Sequence, residues 1–506
     1  MSAHIAPAPR RRPRRFAELQ RGLRPAWEAA CADSPGASIV VVPSRGTDKW
    51  HETPAETQAY EERLLCLLLG LRRPHLQIVY VTSMPVDQAI VDGWLALLAS
   101  MGAHDARSRL TLLSCDDPSQ RPLAVKLLNR PLLLHRIRRA VPDRALAHLV
   151  PYSPSNADLK LALALSIALY GADPRHARLG TKSGARELFA QEGVAHPLGA
   201  ENVRSLAGAV AAIAAIRAAR PGVAQLVVKL DEGVSGDGNA IVDVAALPEP
   251  GVPGEAGAIE RRLRAMAFEA AGVSFDAYLA KLEARGAIVE ERIVASELRS
   301  PSVQLDVTPA GDVEVISTHD QLLGGPSGQR YLGCRFPADA GYAQVITEQA
   351  LRVGARLARA GVLGRLAIDF VVVRDGDGDG EGPGAGAWRS YAIEINLRKG
   401  GTTHPFLTLA GLTGGSYDAA RAVFVAPSGR PRHLVATDHL EIAGLHGLAA
   451  SELLEIVERR GLRFDHARGS GVVAHMLSAA GAGRIGLTAI AGSADAATRL
   501  YERAGA

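Results

Sequence analysis

Four short runs rich in apolar and β-branched residues recur along the first third of the chain: SIVVVPS (38–44), QIVYVTS (77–83), RLTLLSC (109–115) and ALAHLVPYS (145–153). Helical stretches separate them, and the first, ETPAETQAYEERLLCLLLGL (52–71), carries the apolar spacing of an amphipathic helix. Strands that alternate with helices imply a parallel sheet with both faces covered. The pattern therefore predicts a Rossmann-like parallel-sheet domain over 37–175, after a disordered Arg-rich tail and entry helix over 1–36. Such a sheet often binds ligands at its carboxyl edge, yet this one has no G-x-G-x-x-G turn there.

The pattern then changes. A helix, KSGARELFAQEG (182–193), and a second one ending near 219 precede the strand QLVVKL (225–230). A glycine-rich turn and the strand AIVDVA (240–245) follow, then a long helical stretch around 259–285 and VEERIV (289–294). Residues 303–318 read as two strands joined by a Pro-Ala-Gly-Asp turn. The last strong pair is RLAIDFVVVR (365–374) and WRSYAIEINL (388–397). Beyond 416 lies a small α+β segment containing VVAHMLSAAG, RIGLTAI and a terminal helix. The fold class is thus α/β and α+β, in units 37–175, 176–415 and 416–506.

Composition removes several functions. The longest nearly unbroken apolar stretch, LALALSIALY (161–170), is half of what a membrane-spanning helix needs. The cluster RRRPRR (10–15) has no apolar segment after it, so no secretory signal is expected. Cys31, Cys66, Cys115 and Cys334 form no C-x-x-C pair, which points to a reduced, cytoplasmic protein. A net charge of +4 over 506 residues predicts no specific nucleic-acid partner and no membrane partner. Within the 57 basic residues only seven are lysines, so each lysine is conspicuous.

Two places carry chemistry. The turn GVSGDGN (233–239) joins two strands, which excludes phosphate loops that need a helix N-terminus. A glycine hairpin containing Gly233, Ser235, Gly236 and Gly238 can still fold over phosphates with its N–H groups, and Lys229 ends the strand before it. A plain hairpin is the other reading. In EINLRKGGTTHP (394–405), strand alternation puts Glu394 and Asn396 on one face, and Asp369 is a solitary acid in the strand before. Were Arg374 to face Arg389 in a hairpin, Asp369 would lie opposite Glu394. Like charges so placed are destabilising unless a cation sits between them, and two carboxylates with an amide oxygen suit Mg²⁺; a pair of solvent-facing acids on an edge hairpin is the other reading. The connecting loop DGDGDGEGPGAG (375–386) starts like a calcium loop but has Gly386 where the ligating glutamate belongs, so it reads as a solvent hairpin. Between flap and metal face, Glu290 and Glu297 stand seven apart on a strand that leaves one unit for another, where an adenine and a ribose can be held.

In order, Lys182, Lys229 with its flap, Glu290, Asp369 and Glu394-Ile-Asn396 resemble the ATP-grasp superfamily. PSRGTDKW (43–50), VYVTSMPV (79–86), SPSVQL (300–305), STHDQLLGG (317–325) and INLRKGGTTHPF (395–406) narrow the resemblance to the pheganomycin-type peptide ligases, with GVVAHML (471–477) and RIGLTAI (484–490) supporting a C-terminal domain. The resemblance implies a pre-ATP-grasp domain, an ATP-grasp domain with flap 225–245, hinge 288–298 and metal strands 365–397, and a C-terminal domain. It implies that Lys182 and Lys229 contact ATP phosphates, and that Glu290 with the backbone near Ile293 holds adenine and Glu297 the ribose. Asp369, Glu394 and Asn396 would hold two Mg²⁺, with Mn²⁺ as a substitute, and Arg398 would stabilise an acyl phosphate. Relatives that join D-alanines have an arginine two residues before the metal aspartate; here that place is Ala367, and Arg365 and Arg398 are the candidates for the missing charge. Lys399, His404, His319 and Asp320 are candidates for substrate contact.

The implied reaction joins a carboxylate to an amine, in peptide or specialised-metabolite synthesis, through an acyl phosphate with release of ADP and phosphate. The partners are ATP, a carboxylate-bearing small molecule or peptide, and an amine-bearing amino acid or peptide; a homodimer is the superfamily's habit. Two alternatives keep the fold: phosphate transfer to a small molecule, and a regulatory protein that binds ATP without turnover.

Overall fold

The computed structural model describes residues 12–44, 53–233, 236–325, 328–374, 387–442 and 444–506. The 375–386 loop, Ser235 of the flap and most of PSRGTDKW lie outside them. The β-branched runs become strands β1 (Ser38–Val42), β2 (Gln77–Thr82), β3 (Leu110–Ser114) and β4 (Ala147–Pro151), joined at the edge by β5 (Ala168–Leu169). They form one parallel sheet in the order β3-β2-β1-β4-β5. The 52–71 stretch starts as the helix Pro54–Glu62, where Thr53 accepts from the N–H of Glu56 and the Glu56 carboxylate accepts from that of Thr53. Tight helical turns, Arg63–Arg72, continue it.

A second sheet contains β6 (Gly199–Val203), β7 (Gln225–Leu230), β8 (Asn239–Asp243), β9 (Ala267–Phe268) and β10 (Ala287–Glu291), in the order β6-β10-β7-β8-β9. The hairpin β7–β8 pairs Lys229 with Asn239. Its base is pinned by the Tyr278 hydroxyl, which donates to Gly238 at 2.8 Å and to Val228 at 3.1 Å. The single helix expected over 259–285 is two, Glu255–Arg264 and Phe275–Arg285, with β9 between them. Gly272, at φ +74°, turns the chain within that break, where an extended helix would have to be broken.

The largest sheet begins with β11 (Glu297–Arg299), β12 (Pro301–Val307), β13 (Val313–Gly324), β14 (Arg330–Phe336), β15 (Gly364–Arg374) and β16 (Arg389–Asn396). A two-stranded ribbon, β17 (Ser416–Asp418) and β18 (Val423–Val425), stands apart. The C-terminal strands β19 (His433–Glu441), β20 (Gly471–His475) and β21 (Arg484–Ala491) then extend the large sheet, because β14 pairs directly with β19. The helix Ala340–Arg359 packs on this sheet through Tyr342, Ile346, Ala350, Val353 and Leu357 against Val303, Leu305 and Ile368. A separate apolar cluster joins Leu64, Leu68 and Leu69 of the first unit to Phe406, Leu409, Leu477 and Ile485. No helix among the described residues is long and apolar enough to cross a membrane.

Candidate active site

Segment 292–296 leaves β10 in the second sheet and enters β11 in the large sheet, so Glu290, Ile293 and Glu297 stand along a crossing between two sheets. Next to it, the helix Lys182–Gln191 starts where Asp231, just past β7, accepts the backbone N–H of Ser183 at 2.8 Å. That bond fixes Lys182 near the root of the flap. Lys229 faces Ile288 across the β7–β10 pair, which places Glu290 diagonally opposite on the same face. The Lys229 ammonium meets Glu290 at 2.6 Å, and Arg186 reaches the other oxygen of Glu290 at 2.9 Å and Glu201 at 2.7 Å. All of Lys182, Lys229, Arg186 and Glu290 are buried. Arg186 was missed in the sequence, although its place four residues after Lys182 puts both on one helical face. Removing one member of a buried ion network leaves its partner charge uncompensated. Arg186→Met is expected to lower unfolding stability by about 3 kcal/mol and to be detected by urea denaturation.

The acidic face expected to hold metal is built by a register. Asp369 on β15 pairs with Glu394 on β16. The register at the hairpin end is one residue away from the expected one: Val373, not Arg374, faces Arg389. A bulge between Asp369 and Phe370 skips Ile393, so the ladder returns the two acids to opposite positions. The Asn396 amide nitrogen donates to Asp369 at 2.9 Å, and Ser302, directly opposite on β12, adds a hydroxyl donor. Burial, then the Glu394 charge, pushes the Asp369 carboxyl up to about 6, against the pull of Ser302, Arg398 and Asn396. Lys182 stands 3.7 Å from Glu394, which ties the start of the helix Lys182–Gln191 to this face. Two acids and an amide with hard oxygen donors, one of them destabilised as an anion, suit a hard divalent cation.

Several candidates are held elsewhere. Arg365 pairs with Asp306 at 3.5 Å, and Tyr170 donates to the same acid at 2.7 Å. Four residues of strand, roughly 13 Å, separate Arg365 from Asp369, so it does not replace the missing arginine at Ala367. Lys399 is buried and donates to the Pro151 carbonyl at 2.8 Å; burial and Arg365 push its ammonium down to about 8. It ties the loop after β16 to the end of β4 in the parallel sheet. His319 is buried against Phe336 and meets Ser317 at 2.8 Å and Gln304 at 3.1 Å, with burial pushing it down to about 3. Asp320 accepts from Tyr342 at 2.6 Å and from the Asp339 N–H, fastening the start of the helix Ala340–Arg359. His404 is buried beside Asp438 and His475. Glu297 pairs with Arg374 and Arg299, which line the crossing. Arg398 lies within electrostatic reach of Asp369 and directs one N–H to the Lys399 carbonyl at 3.1 Å.

Gln304, also unread in the sequence, secures the loop that carries Arg398. Its amide nitrogen donates to the Thr402 carbonyl at 3.2 Å, and its oxygen accepts from the Thr403 hydroxyl at 2.7 Å. The flap has an outer contact as well: Asn239 donates to Gln329 at 2.8 Å.

The chain is similar to known proteins. The ATP-grasp domain model of IQCH-like proteins matches residues 175–252 and 261–381, and the PGM1 C-terminal domain matches 452–504. The L-propargylglycine–L-glutamate ligase of Streptantibioticus cattleyicolor is 33% identical over 485 residues, covering 93% of this chain and 93% of that protein. The chain belongs to the ATP-grasp superfamily, in the family of the pheganomycin-type ligases. The ATP-grasp fold is also that of two solved structures. Biotin carboxylase from Campylobacter jejuni, solved as a β-γ-ATP complex, has a TM-score of 0.53 at 14% identity, covering 93% of this chain and 90% of that one. An ADP complex of N5-carboxyaminoimidazole ribonucleotide synthetase has a TM-score of 0.51 at 10% identity, covering 93% and 96%. The ATP-grasp match ends at 381, between Asp369 and Glu394, so it does not reach β16.

Proposed function

We propose that this chain is an ATP-dependent carboxylate–amine ligase that forms a peptide-type amide bond in specialised metabolism. The observation that carries this reading is the pair Asp369–Glu394, set opposite each other beside Asn396 and within 3.7 Å of Lys182 at the root of a glycine hairpin. Asp369, Glu394 and Asn396 would hold two Mg²⁺, which neutralise phosphate charge during transfer. Lys182 and Lys229 bind the phosphates, and the flap over Gly233, Gly236 and Gly238 closes above them. Glu290 and the backbone near Ile293 receive the adenine and Glu297 the ribose, with Lys229 exchanging part of its contact with Glu290 for phosphate.

The chemistry needs this arrangement because a carboxylate oxygen is a poor leaving group. A carboxylate oxygen of the acid attacks the γ-phosphorus, and ADP leaves. The amine then attacks the acyl carbon, loses a proton, and expels phosphate. Arg398 faces the acyl phosphate and stabilises its charge. Closure must exclude water from this intermediate. The S. cattleyicolor relative's name pairs an amino acid with glutamate, and amino acids or short peptides are accordingly the proposed acid and amine. ATP as co-substrate supports a cytoplasmic site of action.

The test is mass spectrometry of ATP reactions with pools of amino acids and peptides. An amide product with one ADP per bond is expected. A phosphorylated small molecule would point to phosphotransfer, and nucleotide binding with no turnover on any pool would point to a regulatory protein. Lys229→Arg is expected to lower kcat/KM by at least about tenfold despite retained charge, because the planar guanidinium cannot fill the ammonium's place between Glu290 and the phosphates; steady-state kinetics measures it.

A further inference from the structure

Beyond the loop that follows β16, three chain segments bring their polar tips to one point. His404 lies in the first turn of the helix Thr403–Thr413, Asp438 is on β19, and His475 ends β20. The two Nε2 atoms are 3.0 Å apart; Asp438 Oδ1 is 3.0 Å from that of His404 and 3.1 Å from that of His475. All three side chains are buried, and the two rings meet at 71° with centroids 4.6 Å apart. We propose that His404, Asp438 and His475 form a binding site for one divalent first-row transition-metal ion, distinct from the Mg²⁺ face.

The triangle is the argument. Two neutral imidazoles bring at most two Nε protons, which cannot make three such edges favourable. If one ring donates to the other, the second ring's bare nitrogen faces the carboxylate lone pairs. If both donate to Oδ1, the two N–H dipoles lie side by side and compete for one region of that oxygen. A central cation turns all three edges to advantage. An ion about 2.1 Å from each atom would see them at angles of roughly 91–95° across the 3.0–3.1 Å edges, which is one face of an octahedron. Two histidines and one carboxylate on such a face suit metals that accept imidazole, not Mg²⁺.

The surroundings fit. Arg63 binds the other oxygen of Asp438, so the carboxylate presents Oδ1 alone, and the partner orients the ligand from behind. Gly486 pairs with His475 across β20–β21, and a Cβ at 486 would run into Cδ2 and Nε2 of that ring. Glycine there keeps the ligating edge clear. Bound, the ion would fasten the loop after β16 to the C-terminal strands.

The experiment uses the full chain, without a histidine tag, freed of metal and then supplied with Co²⁺ or Zn²⁺ in excess Mg²⁺. One transition-metal ion per chain should survive gel filtration. Co²⁺ should give visible d–d absorption that Zn²⁺ removes, and Zn²⁺ but not Mg²⁺ should raise the melting temperature. His475→Phe should lose the ion. No ion retained, with no Co²⁺ spectrum, would overturn the proposal and leave a triad held by protons. An ion retained unchanged by His475→Phe would overturn the ligand assignment. Should that variant fail to fold, the Co²⁺ titration of the unaltered chain decides the matter.

Discussion

Asp369→Asn is expected to lower kcat/KM by about 1,000-fold, equivalent to about 4 kcal/mol of transition-state stabilisation, while leaving the free protein no less stable at pH 7. Both halves come from one arrangement. Asp369 is buried opposite Glu394, and burial with that charge pushes its carboxyl up to about 6. The amide has the same shape and removes the repulsion, so the protein without ligands gains. The same change removes an anionic oxygen from the place where a cation must meet the transferred phosphoryl group. Kinetics at saturating Mg²⁺ and thermal melts with and without Mg²⁺·ATP check the two halves together. Activity within tenfold of the unaltered enzyme would remove Asp369 from the metal face, and a large fall in melting temperature without ligands would make its role structural.

The second large effect is at Arg398. Arg398→Ala is expected to reduce kcat by about 100-fold or more, with KM for ATP little changed, because an oxyanion stabiliser acts where charge develops. Arg365→Ala is the control. Arg365 is committed to Asp306, four residues along β15 from the metal aspartate, so its loss should lower stability more than it lowers kcat. If the two variants exchange these behaviours in kinetics and urea denaturation, the assignment of the acyl-phosphate charge is reversed.

What was legible in the sequence followed from local periodicity. The four apolar runs became the parallel sheet because β1, β2 and β4 are almost wholly buried and so read as near-continuous apolar runs, while the edge strand β3 is only partly covered. Asp369 and Glu394 could be paired because hairpin parity is a two-residue rule, and a bulge repaired the one-residue slip in the premise. Parity says which face a side chain takes, not what covers it. His319, Lys399 and Asp320 therefore read as substrate contacts, while the fold buries the first two and ties the third to Tyr342. The break between Glu255–Arg264 and Phe275–Arg285 was hidden by apolar spacing that suits one long helix. Contacts such as Arg63 with Asp438, 375 residues apart, leave no local trace. The continuity of β14 with β19 is equally silent, since strand pairing across such distance depends on the whole sheet.

The lysines are sharper for the structure. Lys182 and Lys229 lie at the root of the flap, where the proposed function uses a compact ammonium, whereas Lys399 anchors a loop. That division is consistent with phosphate transfer preceding amide formation, and one isotope experiment tests the order directly. With the acid substrate labelled by ¹⁸O in its carboxylate, one ¹⁸O should pass to the released inorganic phosphate as ADP forms, because that oxygen is the one the γ-phosphoryl group activates. Label recovered in AMP, with pyrophosphate as the other product, would contradict the acyl-phosphate account.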